Sequence, residues 1–425
     1  MQMTTLCHGT TQIVHDEFKV SALKNRHPMV DPDIVLKIML EQAKIKTTEE
    51  IELLDSFGRI LAKDFTACHN QPPFARSPLD GYAMRSEDIK NASGQRPVTL
   101  HVIATVYAGS MCCNKVKPGT AVSIMTGAPV PDGTDCVIRF EDTSSSPGKV
   151  TVYHPLKPGE NVIYAGEDVK KGEILLHSGT EITPAVIGAL AAQGCKNVHV
   201  FRRPRVAVFS TGNELAELTD DLQPAKIYNS SVYSISAMVK AAGAEPLILG
   251  TVPDCIDAIK NTIQSVLGKV DMIISTGGVS VGKKDFVKEA FASSGVNVLF
   301  WKPGSPMVYG VKDSRHIIGL TGNPGAAMII YTVIVQPLLR FMNGRKSLFN
   351  SKVRARMVED FRINSKQRRF VRAVLFWEGS EYLAKIAGSQ NSGFIKSMVE
   401  CNALIDIPAG HGSIRNGEIV EVMML

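Results

Sequence analysis

Four short apolar runs at 205–210, 246–250, 271–275 and 315–319 alternate with four segments of helical spacing at 229–242, 254–267, 285–294 and 324–340. That βαβα order predicts an open, mainly parallel sheet, because parallel neighbours need a long crossover and a helix supplies it. The constraint reaches ligand binding as well as fold. In open α/β sheets ligands sit outside the carboxyl ends of the strands. Three of these strands run straight into loops of small residues, "FSTGNEL", "ISTGGVSVG" and "GLTGNPG". The three loops are expected to line one crevice.

The chain of 425 residues, 44% apolar, is too long for one core and is expected to form three or four domains. A helix is predicted at "VDPDIVLKIMLEQAK", with Asp31 as cap and Pro32 first. From about 60 to 180 short β-prone runs alternate with Gly, Pro, Ser and Asp clusters, and "TPAVIGALAAQG" closes the region as a capped helix. A boundary near 203 and a small β domain after about 350 complete the division. Residues 1–28 are read as an extension.

The 47 basic and 41 acidic side chains leave a net charge of only +6, with no run of five or more like charges, so no nucleic-acid partner is expected. The eight cysteines include no C-x-x-C pair, which argues against structural zinc or a disulfide framework and fits a reducing, cytoplasmic setting. No uninterrupted apolar run reaches the roughly 18 residues that a membrane span needs, so no membrane role is expected.

"DMIISTGGVSVGKKD", residues 271–285, has neither the dinucleotide fingerprint nor the phosphate-loop spacing. Gly277 and Gly278 could still turn backbone N–H groups toward an anion, with Ser275, Thr276 and Ser280 as hydroxyl donors. A tight strand-to-helix turn explains the same residues. Asp80, Glu214, Asp254 and Asp285 are expected to face one crevice, where carboxylates beside a phosphorylated ligand could hold Mg²⁺. Asp254 and Asp285 also stand where helix N-caps would. In "GLTGNPGAAMIIYTVIVQPLLR", Asn323 reads as a cap and Pro324 as the first helical residue, leaving N–H groups for a phosphate or simply starting a buried helix.

Together "FGRILAKDF", "PPFARSPLDGYAMR", "MTGAPVPDGTD", "GEDVKKGE", "FSTGNEL", "STGGVSVGKKD", "KPGSP" and "GNPGAA" resemble, in this order, the molybdopterin molybdenumtransferase (MoeA) family and the related E domain of gephyrin, over roughly 29–425. The resemblance implies a multidomain α/β protein: an elongated N-terminal domain (29–65 and 147–203), an inserted β-rich domain (66–146), a central doubly wound molybdopterin-binding domain (204–349) and a small C-terminal β domain (350–425). It implies a homodimer that inserts molybdate into adenylylated molybdopterin with Mg²⁺ and releases AMP. An upstream adenylyltransferase and molybdoenzyme targets would be its further partners. By motif position it carries roles onto Asp80, Thr126, Asp168, Glu214, Asp254, Asp285 and Pro324, with Arg372 and Ser392 in the C-terminal domain. In that reading Glu214, Asp254 and Asp285 hold Mg²⁺, while Lys302, Arg372 and Ser392 receive molybdate.

The chain departs from the family pattern at Ser305, where a lysine is usual, at Thr321 in place of a proline, and at Gly325-Ala326 in place of Val-Ser. These departures keep two other readings open. One is a diverged paralogue that binds a pterin or oxyanion without normal turnover; the other is a non-catalytic dimeric scaffold.

Overall fold

The structure, a computed structural model, describes residues 31–279, 286–301, 306–362 and 367–425. Two compact units emerge. Among the described residues the larger comprises 31–49, Gly58–Ile60 and those from Val200 to Leu425, and the smaller comprises Glu50–Phe57 and Leu61–His199.

The larger unit is built on a six-stranded sheet in the order Glu245–Val252, Arg205–Thr211, Met272–Thr276, Arg315–Leu320, Met307–Lys312, Asn297–Trp301. The first four strands run parallel, as the βαβα pattern requires, and the last two pair antiparallel at one edge. Sequence periodicity missed that edge hairpin. Side chains alternate between faces: Val206 and Val208 enter one core and Ala207 and Phe209 the other. Helices cover both faces, with Ser230–Ala241 and Pro324–Met342 on the first and Ile256–Val266 and Phe286–Ser293 on the second. Each face is thus shielded, which is why the strands read as almost unbroken apolar runs.

Helix Pro32–Gln42 begins as expected, with the Asp31 carboxylate accepting from the Asp33 N–H. It nevertheless packs Val35, Leu36 and Met39 into the first core of this sheet, and so belongs with the central unit. Pro324–Met342 is the one helical run among the described residues with the length and apolarity to cross a membrane, but 67% of that stretch is buried inside the protein. It is a core helix. Its middle, Tyr331–Val335, widens into a π turn just before Pro337, whose ring has no N–H and would crowd a regular turn.

After residue 350 five strands close a barrel in the order Lys352–Met357, Glu381–Ile386, Arg369–Glu378, Ala403–Ile407, Ile419–Met424. The last four were legible as β runs; the first, charged at every second position, was not. The smaller unit holds another six-stranded sheet, ordered Cys136–Arg139, Gly81–Met84, Thr120–Ile124, Val98–Val106, Lys149–Val152, Thr143–Ser146. It also contains helix Pro184–Ala192, capped by Thr183 and stopped before Gly194 as expected.

At the amino ends of the central strands Asp271 accepts from the Arg205 N–H at 2.8 Å and pairs with Arg202 at 2.8 Å and Lys46 at 3.3 Å. Burial alone would raise its pKa, but these partners outweigh burial and hold it below the usual carboxylate range. Beside it His316, 2% exposed, shares a 2.9 Å hydrogen bond with the Tyr309 hydroxyl. Burial, aided by Lys46, pushes His316 down from 6.5 to about 4. The unfolded chain therefore takes up a proton that the folded chain refuses, so stability is full above pH 6.5 and falls as the pH drops toward 4. The expected loss is about 3 kcal/mol. Urea unfolding at stepped pH checks it, and His316→Gln should flatten the slope in this window. Asp271 adds its own loss only below its ordinary pKa of 3.8.

Candidate functional site

The carboxyl ends of the parallel strands open onto a cleft of about 820 Å³ within the larger unit. Thr211 and Glu214 reach it from the first strand end, Asp254 from the second, Thr276 to Val279 from the third, and Thr321 to Pro324 from the fourth. Gly393 and Ile395 contribute from the loop of the C-terminal barrel. The three small-residue loops thus share one crevice, as the strand order demands. Ser280, Asp285 and Lys302 lie outside the described residues. Ser275 points away from the cleft: it is fully buried on the sheet, near Gly319.

Gly277 turns the chain at φ +92°, and a Cβ there would lie 2.3 Å from the Thr211 carbonyl oxygen. Only glycine fits so close a crossing of two strand ends. Its N–H, however, donates to the Leu320 carbonyl at 3.0 Å and so continues the sheet pairing. The expectation that Gly277 aims its N–H at an anion is corrected by that bond.

Asp254 was read as a helix N-cap, and this too is corrected. Helix Ile256–Val266 starts one residue later, with Cys255 at its N-cap and no side-chain bond. Asp254 is released from capping, and its Oδ1 is buried without a hydrogen-bond partner among the described residues. Glu214 is exposed on the same cleft. An orphaned carboxylate oxygen and a second carboxylate lining one cleft are hard-oxygen donors, suited to Mg²⁺, which keeps several waters and takes few protein ligands. Among the described residues no three His, Cys, Asp or Glu side chains converge, so a closed protein cage does not form there.

The start of helix Pro324–Ile330 is occupied by the protein itself. Pro324 has no N–H, and those of Gly325 and Ala326 both donate to the Ser392 carbonyl, at 3.0 and 3.3 Å. The expected phosphate site at this terminus is therefore filled, and Asn323 makes no side-chain cap bond. Gly325 permits the contact: a Cβ would lie 2.8 Å from Arg372 Nη1 and 3.0 Å from the Ser392 oxygen. The departure at residue 325 thus has a steric reason. Arg372 is 2% exposed, and its guanidinium donates to the Phe394 carbonyl at 3.2 Å, the Asn391 carbonyl at 3.0 Å and Gln390 Oε1 at 3.4 Å. It shapes the 390–394 loop, and its charge does not face the cleft. This corrects the expectation that Arg372 receives molybdate directly.

Asp80, Thr126 and Asp168 belong to the smaller unit. Asp80 Oδ1 accepts from the Thr126 N–H at 2.6 Å and from its hydroxyl at 2.7 Å. These two bonds hold its pKa below the usual range, so an exposed loop carries a fixed negative charge. Asp168 is exposed, and its N–H donates to the Gln71 carbonyl.

Three residues around the cleft escaped the sequence reading: Thr211, Ser210 and Asn229. A signal existed, because "STG" occurs in both "FSTGNEL" and "ISTGGVSVG". Those strands pair in register with Ser210 opposite Thr276, which sets their hydroxyls 2.7 Å apart. Asn229 carried no such signal; it joins through its cap position on helix Ser230–Ala241.

Comparison with known proteins agrees with this architecture. Residues 30–194 match the MoeA N-terminal region (domain I and II), 207–340 a probable molybdopterin binding domain, and 354–425 the MoeA C-terminal region (domain IV). The chain is 34% identical over 407 residues to a molybdopterin molybdenumtransferase of Staphylococcus epidermidis, covering 95% of this chain and 97% of that one. It is 35% identical over 411 residues to the protein of that name from Bacillus subtilis, covering 95% of each. A crystal structure of a molybdopterin biosynthesis MoeA protein from Pyrococcus horikoshii superposes with a TM-score of 0.81 at 31% identity, covering 93% of this chain and 99% of that one.

Proposed function

The chain belongs to the molybdopterin molybdenumtransferase family, and from that premise we propose that its central cleft takes adenylylated molybdopterin and molybdate, inserts the metal at the dithiolene and releases AMP. It is a transferase of molybdenum cofactor biosynthesis. The observation that carries the finer reading is the buried Asp254 oxygen, unpartnered among the described residues, at a strand's carboxyl end on the cleft that Glu214 also lines. The cleft volume, about 820 Å³, is in the range of small-molecule sites.

Asp254 and Glu214, with Asp285 as the third group, would hold Mg²⁺. When bound, that ion supplies charge neutralisation at the phosphate. The need for a cation follows from electrostatics: two like charges 4 Å apart repel by about 4 kcal/mol at an effective dielectric near 20. Two carboxylates and a molybdate dianion cannot share a cleft unaided. Lys302 is proposed to attract molybdate, and Ser392 to meet it from the barrel loop that Arg372 holds in shape. Gly278, Asn323 and Pro324 line the same cleft and shape its floor. Asp80, Thr126 and Asp168 enter the proposal by motif position, Asp80 as a fixed charge.

The test supplies purified protein with adenylylated molybdopterin, Mg²⁺ and molybdate, and follows AMP. Molybdate-dependent AMP release is the expected result, and its absence overturns the reading. Tight binding without release supports the non-turnover paralogue. A homodimer is part of the proposal, and sedimentation at micromolar concentration should return the dimer mass.

A further inference from the structure

Behind the cleft wall Thr276, Ser210, Asn229 and Thr251 form an unbroken chain of polar side chains. Asn229 is fully buried, and its amide orientation is fixed by its neighbours. The Val232 N–H donates to Oδ1 at 3.2 Å, and Nδ2 donates to Thr251 Oγ1 at 2.9 Å. Turning the amide over would set its NH₂ against the Val232 N–H. The Ser210 hydroxyl lies 2.8 Å from the same Oδ1, which can only accept, so Ser210 gives its single proton there. The 2.7 Å contact between Ser210 and Thr276 then has one possible sense, with Thr276 donating. Thr276 has used its only proton. Thr276 lines the cleft while only 1% exposed, and what its oxygen has left for a ligand there is lone pairs.

We propose that Thr276 is a specificity residue that accepts a hydrogen bond from a neutral N–H or O–H of the bound substrate, with Ser210 and Asn229 as the positioning residues that set its polarity. The inference rests on the cleft being the substrate site. It reverses the sequence expectation that Thr276 donates to a phosphate or molybdate oxygen, because a deprotonated oxyanion would meet lone pairs at this point. The oxyanion end of the substrate is therefore directed elsewhere in the cleft. A second observation points to a ligand at the same wall. Thr211 is 3% exposed, and its Oγ1, 3.0 Å from where a Cβ on Gly278 would stand, has no hydrogen-bond partner among the described residues. A buried hydroxyl left unmatched is costly, and a polar group entering the cleft would match it.

Adenylylated molybdopterin carries neutral donors in three places, the ribose hydroxyls, the adenine amino group and the N–H groups of the pterin. Calorimetric titration with AMP, 2′-deoxy-AMP, 3′-deoxy-AMP and non-adenylylated molybdopterin separates them. Thr276→Val should weaken the probe that carries the recognised donor by about tenfold and leave the probe lacking it unchanged. If the ribose is read, one deoxy analogue binds wild type and Thr276→Val alike; if the adenine amine is read, all three nucleotides weaken and molybdopterin does not; if the pterin is read, only molybdopterin responds. Ser210→Ala frees the Thr276 proton and should shrink the discrimination between donor and deoxy probes, whereas a merely structural role would weaken every probe equally. Thr276→Val binding every probe as wild type does would overturn the proposal, as would equal losses for all probes in both variants. Wild type binding neither AMP nor molybdopterin would instead count against the functional reading, and the inference would fall with it.

Discussion

Asp254→Asn is expected to cut molybdate-dependent AMP release by about 100-fold or more while leaving the fold as stable as wild type, or more so. The two halves of that outcome come from one observation. Asp254 Oδ1 is buried without a partner among the described residues, and the neighbouring helix starts at Ile256 without a bond from its side chain. An unmatched buried oxygen costs about 1–3 kcal/mol, more if charged, so neutralising it removes a penalty and breaks no bond within the described residues. A cation-binding carboxylate has the opposite functional profile, because the amide keeps the shape and loses the charge that holds the ion. AMP release measured against Mg²⁺ concentration, with urea unfolding in parallel, separates the roles. Lowered stability with unchanged AMP release would mark Asp254 as structural.

Gly277→Ala should destabilise the larger unit by about 3–5 kcal/mol and abolish substrate binding with it. Alanine at φ +92° is strained in itself, and its Cβ would stand 2.3 Å from the Thr211 carbonyl oxygen. No rotamer relieves a clash between a Cβ and a backbone atom. Either the Gly277 N–H leaves the Leu320 carbonyl or the strand ending at Thr211 moves, and either motion separates strand ends that form the cleft floor. The urea midpoint and calorimetric binding of AMP check both parts. Gly268→Ala is a fair control, since a Cβ there meets nothing within 4 Å.

Much of the central fold was legible because apolar periodicity reports burial directly, and the four parallel strands and their helices fall where the pattern set them. The edge pair Asn297–Trp301 and Met307–Lys312 was not, because among the described residues no helix separates Met307–Lys312 from the strand before or after it, and helices are what flag parallel neighbours. Carboxylates were legible as chemistry but not as roles. Asp254 carries the same letter whether it caps a helix or faces a cleft, and a shift of one residue in the helix start decided between them. The Gly325 departure reads in sequence as an alteration of the ligand crevice; in space it is the room that lets the Ser392 carbonyl and Arg372 approach.

By itself the sequence determined the strand order's consequence, a cleft at the carboxyl ends of a doubly wound sheet, and the family whose motifs surround it. These follow from local spacing and from residue types that the chain carries in order. Only the tertiary structure decided which polar groups remain available to a ligand. Hydrogen-bond donors are finite, and partners distant in sequence claim them: Leu320 takes the Gly277 N–H, Ser392 those of Gly325 and Ala326, and Ser210 the Thr276 proton. The loops looked rich in donors for an anion. Once these protons are allotted, the described wall of the cleft offers acceptors at Asp254 and Thr276.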